Sequence, residues 1–79
     1  MPVIVFRFSG GIRDGQVIRS DQLHAGENEA DRLWRTTWNG TLGRRFDVAN
    51  PAGPSYSRYQ VRGRYDLGDE IHVTCESVD

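Results

Sequence analysis

The chain contains no lysine and only one cysteine, Cys75, among its 79 residues. A single cysteine excludes an internal disulfide framework and a cysteine-based zinc site, and its free thiol is typical of a reducing compartment. No run of residues approaches the roughly 20 apolar positions of a membrane-spanning helix. The first residues also lack the basic leader of a signal peptide. We therefore expect a cytoplasmic protein with no membrane partner.

An excess of charge of either sign is also missing. Ten cationic side chains, all of them arginine, are balanced by eleven acidic ones, which leaves a formal net charge of −1. A balanced chain has no overall field that would attract nucleic acid or an anionic membrane. With 79 residues, of which 37% are hydrophobic, the chain can form one domain over residues 1–79 with a single modest core.

One segment, between Gly26 and Gly40, has a helical period, and it contains both tryptophans. Its apolar side recurs at intervals of three and four residues, which form one stripe on a helix: Ala30, Leu33, Trp34, Thr37 and Trp38. The spacing predicts a helix over about 28–39, with Gly40 as the left-handed residue that ends it. We expect Trp34 to anchor the core and Trp38, at the edge of the stripe, to be partly exposed and to contact a partner.

The remaining segments have the alternation and the β-branched and aromatic content of strands. They are Val3–Phe8, Gln16–Ser20, Arg45–Val48 and the two halves of 56–78, of which the first two should form a hairpin. We predict an α+β fold in the order β-β-α-β-β-β, a small, mainly antiparallel sheet with one helix packed on one face. The predicted core consists of Ile4, Phe6, Phe8, Ala30, Leu33, Trp34, Phe46, Tyr59, Val61, Ile71, Val73 and Cys75.

The last two strands are expected to form a hairpin closed by the three-residue loop Asp66-Leu67-Gly68, with Gly68 left-handed. On the core face this register pairs Tyr59 with Cys75, Val61 with Val73 and Gly63 with Ile71. On the opposite face it pairs Arg58 with Glu76, Arg62 with His72 and Arg64 with Glu70. Two of these arginines would therefore lie opposite a carboxylate.

A glycine-rich turn, Gly10-Gly11-Ile12-Arg13-Asp14-Gly15, follows the first strand. With the hydrophobic strand before it, this turn resembles the opening of many short uncharacterised bacterial and phage proteins. Those proteins commonly have a proline after the glycine pair, where this chain has Ile12. The resemblance covers residues 1–20 and implies a small bacterial accessory protein, without a particular activity.

Three classes of function remain open from the residues. Arginines interleaved with tyrosines suggest a nucleic-acid surface formed by Arg44, Arg45, Arg58, Arg62 and Arg64. Strand alternation opposes this interpretation, because it directs Tyr59 and Tyr65 to the face opposite the arginines. Catalysis has still less support, because Cys75 lies in mid-strand on the core face.

Metal or cofactor binding has no sequence support either, because His24 and His72 have no ligand spacing. We therefore predict no catalytic residue, no cofactor and no metal. The first hypothesis is a non-catalytic accessory or protein-binding module, whose partner is another protein or a second copy of the chain. Its expected contact residues are Trp38, Val3 and Val5, because the two valines lie on the face of the first strand that the helix leaves uncovered. The alternative is nucleic-acid binding, and a small enzyme comes third.

Overall fold

The computed structural model describes residues 2–22, 29–50 and 52–78. Its elements are β1 Val3–Ser9, a 3₁₀ turn at Gly11–Arg13, β2 Val17–Arg19, α1 Glu29–Thr36, β3 Arg45–Ala49, β4 Tyr56–Asp66 and β5 Glu70–Ser77. The strands form one sheet in the spatial order β2-β1-β5-β4-β3. No helix in the described residues is long and apolar enough to cross a membrane.

The sheet is mixed, so the prediction of a mainly antiparallel sheet is wrong. β1 and β2 form the expected antiparallel hairpin, but β1 pairs in parallel with β5. The last strand thus inserts between β1 and β4, and the order in space departs from the order along the chain. Interior strands can be apolar on both faces, and β1 has this property, since Val5 and Phe6 are both fully buried.

The core lies between the sheet and α1, which contributes Ala30 and Leu33 to it. Ten of the twelve predicted core residues are buried there, and the structure adds Ile18 and Val48. Trp34 and Ile71 are only partly buried against the edge of this cluster. The predicted anchor of the fold is therefore a flanking residue, and the centre belongs to fully buried side chains such as Phe6 and Tyr59.

The helix is shorter than predicted. α1 spans Glu29–Thr36, whereas the period extended to about residue 39. The backbone is left-handed at Trp38, Asn39 and Gly40, with φ values of 53°, 60° and 70°, and no α-helix continues through such residues. The predicted helix start at residue 28 lies outside the described residues.

The turn between β4 and β5 differs from the predicted three-residue loop Asp66-Leu67-Gly68. The backbone N–H of Leu67 donates to the carbonyl oxygen of Glu70 at 2.7 Å, which leaves Gly68 and Asp69 as the two loop residues. Gly68 is left-handed as predicted, with a φ of 73°. The loop therefore begins two residues later than expected, and Ile71 pairs with Asp66 instead of Gly63.

A β-bulge in β4 changes which side chains share a face. The ladder pairs on either side of it are Val61 with Cys75 and Gly63 with Thr74. Arg62 is the extra residue between them, and beyond it the alternation inverts. Arg64 consequently lies on the helix side of the sheet, opposite Val73, and Tyr65 lies on the open side.

The predicted register of β4 and β5 is wrong on both faces, because the turn and the bulge both shift it. On the core face, Tyr59 pairs with Ser77 and Val61 with Cys75. None of the predicted cross-strand pairs of the arginines forms. The observed ion pairs are Arg58 with Asp47 at 3.4 Å, Arg62 with Glu76 at 3.6 Å and Arg64 with Asp66 at 3.2 Å. All six side chains are substantially exposed, so each pair contributes little to stability. All three arginines contact a carboxylate, but only the pair of Arg62 and Glu76 crosses the hairpin, whereas the prediction placed Arg58 and Arg64 opposite carboxylates of β5.

Candidate functional site

The turn that follows α1 directs Trp38 into solvent. The buried Thr37 ends the helix, since its hydroxyl donates to the Leu33 carbonyl at 2.8 Å and accepts from the Gly40 N–H at 3.1 Å. The Asn39 N–H reaches back to the Trp34 carbonyl at 2.7 Å. These bonds hold the left-handed backbone that turns Trp38 away from the core. A left-handed conformation costs a residue other than glycine on the order of 1 kcal/mol or more.

Three side chains form what we call the Trp38 surface: Trp38, Leu42 and Arg44. Trp38 is 62% exposed and Leu42 is 64% exposed. The Arg44 guanidinium carbon lies 3.7 Å from the centroid of the Trp38 ring, in cation–π geometry. Arg44 also donates to the Thr36 carbonyl at 3.4 Å, at the end of α1. One face of the indole ring is thereby supported, and the rest of the side chain is open to a partner.

Arg64 braces the same turn from the sheet. Its guanidinium donates to the Asn39 carbonyl at 3.1 Å and lies 5.3 Å from the Trp34 ring. The bulge in β4 brings Arg64 to this position. Simple alternation placed Arg64 on the opposite face, so this role could not be found without the bulge.

The five arginines of the nucleic-acid hypothesis do not form one surface. Arg58, Arg62 and Arg64 each contact a carboxylate, as described above. Arg44 belongs to the Trp38 surface, and Arg45 begins β3 with an exposed side chain. In the part of the chain that the structure describes, neither Arg44 nor Arg45 has an ion-pair partner.

The expected contact residues Val3 and Val5 are covered to different extents by the chain itself. Val5 is 0% exposed, and Val3 is half-buried. Val5 lies between Arg19 and His72 in the ladder. Around it the polar side chains form a connected network: Arg7, His72, Glu70, Arg19 and Asp21. Val5 therefore has no surface left for a partner, and Trp38 is the exposed member of the predicted set.

Hydrogen bonds give each member of this network a defined partner. Arg7 Nε donates to His72 Nδ1 at 3.3 Å, so the ring proton lies on Nε2, which is 2.8 Å from Glu70 Oε1. Arg19 donates to the other Glu70 oxygen at 2.8 Å and to both Asp21 oxygens at 3.0 and 3.2 Å. The hydrogen bond from His72, followed by that from Arg19, holds the pKa of Glu70 below its ordinary value. The hydrogen bond from Arg19 does the same for the pKa of Asp21.

The lowered pKa of Glu70 predicts a pH dependence of stability. A carboxylate with a lowered folded-state pKa stabilises the fold above its unfolded pKa of about 4.3 and loses this effect as the pH falls. The urea midpoint of the wild type should therefore decrease between about pH 5 and pH 3, and Glu70→Gln should flatten the decrease. The measurement is urea unfolding followed by fluorescence across this range. Glu76→Gln, on the same face but outside the network, should keep the wild-type slope; equal slopes for wild type and Glu70→Gln would contradict the prediction.

Two of the candidates for catalysis, Cys75 and His72, lie on opposite faces of β5. Cys75 is buried in β5, and desolvation raises the pKa of its thiol to about 12, so the reactive thiolate is scarce at neutral pH. His72 belongs to the network above, and His24 lies outside the described residues. Within residues 2–22, 29–50 and 52–78, no three His, Cys, Asp or Glu side chains gather as a group that could hold a metal ion.

A buried arginine that sequence reasoning missed lies in a cleft between α1 and β3. Arg13 is only 9% exposed, and its guanidinium contacts Gln16 Oε1 at 2.7 Å, Glu29 Oε1 at 3.1 Å and the Ala49 carbonyl at 3.1 Å. Its Nε is buried and has no hydrogen-bond partner among the residues that the structure describes. The cleft measures about 260 Å³ and also carries Arg32 and Asp47, so its charges are balanced. Arg13 thus joins the glycine-rich turn to α1 and β3.

Tyr59 fastens this turn to the core. Its hydroxyl donates to the Gly10 carbonyl at 2.6 Å and accepts from the Arg13 N–H at 2.9 Å. A Cβ atom at Gly11 would lie 2.8 Å from that hydroxyl, so glycine is required there. The only sequence signal for this arrangement was the glycine-rich motif itself.

Comparison with known proteins adds no family to this geometry. No protein-family model, curated protein or solved structure was found to match the chain. The resemblance to short bacterial and phage proteins therefore stays a prediction.

Proposed function

We propose that this protein is a non-catalytic protein-binding module that contacts its partner through the Trp38 surface. The observation that carries the proposal is an indole ring, 62% exposed, held outward by a left-handed backbone. Tryptophan and arginine are the residues most often found at the energetic centre of protein interfaces. A fold that accepts backbone strain to expose a tryptophan is typical of a functional site.

The support provided by Arg44 and Arg64 strengthens this interpretation. An exposed tryptophan on a flexible loop loses conformational freedom when it binds, whereas one that is already braced loses less. Arg44 stacks on the ring, and Arg64 is bonded to the carbonyl of the next residue in the turn. The surface is therefore preorganised for a partner.

The test compares wild-type protein, Trp38→Ala and a matched control. Leu67→Ala removes another side chain that is 62% exposed, in the β4–β5 turn. A protein captured from the native host by wild type and Leu67→Ala should be lost on Trp38→Ala. With that partner purified, titration calorimetry should show about a thirtyfold weaker affinity for Trp38→Ala, which is about 2 kcal/mol. Equal affinity of wild type and Trp38→Ala for every captured protein would refute the proposal.

Single-stranded nucleic acid is the second candidate, and one observation favours it. Arg44 and Arg45 have no carboxylate partner in the described residues and lie beside an aromatic ring on which a base could stack. The net charge of −1 and the pairing of the other three arginines argue against it. A salt titration against single-stranded DNA and RNA distinguishes the two functions. Micromolar binding with a steep dependence on salt, lost on Arg44→Ala, would favour nucleic acid over a protein partner.

A further inference from the structure

The edge strand β3 exposes a short row of backbone hydrogen-bonding groups. At one end of the β3–β4 ladder, the Val61 carbonyl accepts from the Gly43 N–H, and the Val61 N–H donates to the Arg44 carbonyl. At the other end, the Asn50 N–H donates to the Ser55 carbonyl. Because bonded and non-bonded pairs alternate in an antiparallel ladder, the even residues of β3 bond to β4. The odd residues therefore direct their N–H and C=O groups to the free edge.

Only part of this edge is available. The odd residues of β3 are Arg45, Asp47 and Ala49, and their side chains are all exposed on the open face of the sheet. Arg13 covers the last of them, since its guanidinium donates to the Ala49 carbonyl at 3.1 Å. In the described part of the chain, no strand pairs with this edge. The open segment is thus Arg45 to Asp47.

The opposite charges of Arg45 and Asp47 select the occupant of this edge and its register. Two copies of β3 that pair antiparallel about a two-fold axis have a small number of registers that use the odd residues. A two-fold axis at residue 45 places Arg45 opposite Arg45, and one at residue 47 places Asp47 opposite Asp47. Repulsion between like charges disfavours both registers. An axis at residue 48 requires the carbonyl of Ala49, which Arg13 occupies. An axis at Phe46 alone places opposite charges against each other and uses only the open segment.

We propose that a second copy of this chain docks on β3, antiparallel, with the two-fold axis at Phe46. Arg45 of each copy then lies opposite Asp47 of the other, and each of these pairs exchanges its two backbone hydrogen bonds. Within one chain Asp47 already contacts Arg58, its cross-strand neighbour in β4. Positive and negative side chains then alternate across the interface between the two copies, in the order Arg58, Asp47 and Arg45 of the second copy.

The same charges explain why other partners are rejected. Charged side chains on an edge strand normally prevent pairing with other strands. Here the two charged side chains, Arg45 and Asp47, are of opposite sign and lie two residues apart. An uncharged strand or one in a shifted register leaves them without an opposite charge, whereas a second copy with its axis at Phe46 supplies one for each. The segment Arg45 to Asp47 contains no residue of the Trp38 surface, but Arg44 of that surface directly precedes it, so the two proposals are tested with separate variants.

The test is analytical ultracentrifugation up to millimolar protein. The wild type should approach twice its 9.0 kDa mass as the concentration rises. Arg45→Glu should weaken this association about tenfold or more, because a carboxylate at position 45 would then face Asp47 of the other copy. The double variant Arg45→Glu, Asp47→Arg should restore it, since the exchanged charges are again complementary. An equimolar mixture of Arg45→Glu and Asp47→Arg should form a heterodimer, although each alone stays monomeric.

Matched controls separate this proposal from general charge effects and from the proposed function. Arg62→Glu reverses an exposed, ion-paired arginine on the interior strand β4 and should leave the association unchanged. Trp38→Ala should also leave it unchanged, even where it abolishes partner binding. A wild type that stays at 9.0 kDa in millimolar solution would overturn the proposal. Association that is as strong in Arg45→Glu as in the wild type, or that fails to return in the mixture, would overturn it as well.

Discussion

Replacing Tyr59 by alanine should lower the free energy of unfolding by about 3–5 kcal/mol. The ring is fully buried and lies edge-on to Phe8, with a centroid separation of 5.1 Å. At 79 residues the domain has about 4–12 kcal/mol of total stability, so the variant should be largely unfolded or marginal at 37 °C. The measurement is urea unfolding followed by circular dichroism.

The hydroxyl of Tyr59 can be separated from its ring. Tyr59→Phe keeps the packing but leaves the Arg13 N–H and the Gly10 carbonyl without their partner. We expect a loss of about 1–3 kcal/mol, the cost of buried groups left unsatisfied. Tyr56→Phe, at an exposed tyrosine of the same strand, is the control and should be neutral within about 0.5 kcal/mol. If Tyr59→Phe is equally neutral, the turn is not fastened through this hydroxyl.

The second large effect concerns Glu29, the partner of the buried Arg13. Glu29→Ala should cost about 3 kcal/mol, at the lower end for a broken buried ion pair. Arg13 is 9% exposed and arginine cannot release its proton, so its charge would stay buried, with Gln16 and the Ala49 carbonyl as its remaining acceptors in the described part of the chain. The reverse change, Arg13→Met, should cost less, about 1–2 kcal/mol, because Glu29 is 32% exposed and can be solvated by water.

The loss of unfolding free energy should therefore be larger for Glu29→Ala than for Arg13→Met. A double-mutant cycle with Glu29→Ala and Arg13→Met, followed by urea unfolding, measures it directly. Asp31→Asn removes a charge from the same first turn of α1 and leaves the pair of Arg13 and Glu29 in place, so it should cost less than about 1 kcal/mol. Should Arg13→Met prove more costly than Glu29→Ala, the desolvation argument would be incorrect.

Local patterns in the sequence were sufficient for ten of the twelve core residues of the cluster and for the exposure of Trp38, but not for the partial burial of Trp34. Alternation in β1, β3 and β5 and the helical period identified most buried residues, because each of these patterns extends over only a few positions. The parallel pairing of β1 with β5 could not be predicted in this way. It joins segments far apart in the chain, and local alternation carries no information about strand direction.

The arginines show where local reasoning fails. One extra residue at Arg62 inverts the faces of β4, so Arg64 reaches the turn after α1. Gly63, which directly follows Arg62, is the residue in that segment that signals the bulge, because a glycine inside a strand often marks one. Arg13 was missed for a different reason, because an arginine in a glycine-rich turn is expected to be exposed. Its burial depends on Glu29 and Ala49, which are distant in sequence.

The parallel pairing of β1 and β5 also bears on how the chain acquires its structure. The register joins Val3 with Glu70 and Ser9 with Glu76, so the centre of the sheet forms only when distant segments meet. Such non-local contacts slow folding, because the entropy of closing a long loop is lost before the contacts are gained. During synthesis on the ribosome, β1 would therefore wait, with the backbone edge that pairs with β5 still open, until β5 has left the exit tunnel. An unpaired strand edge can pair with other chains, so the nascent protein is exposed to aggregation through β1 in the period before β5 emerges.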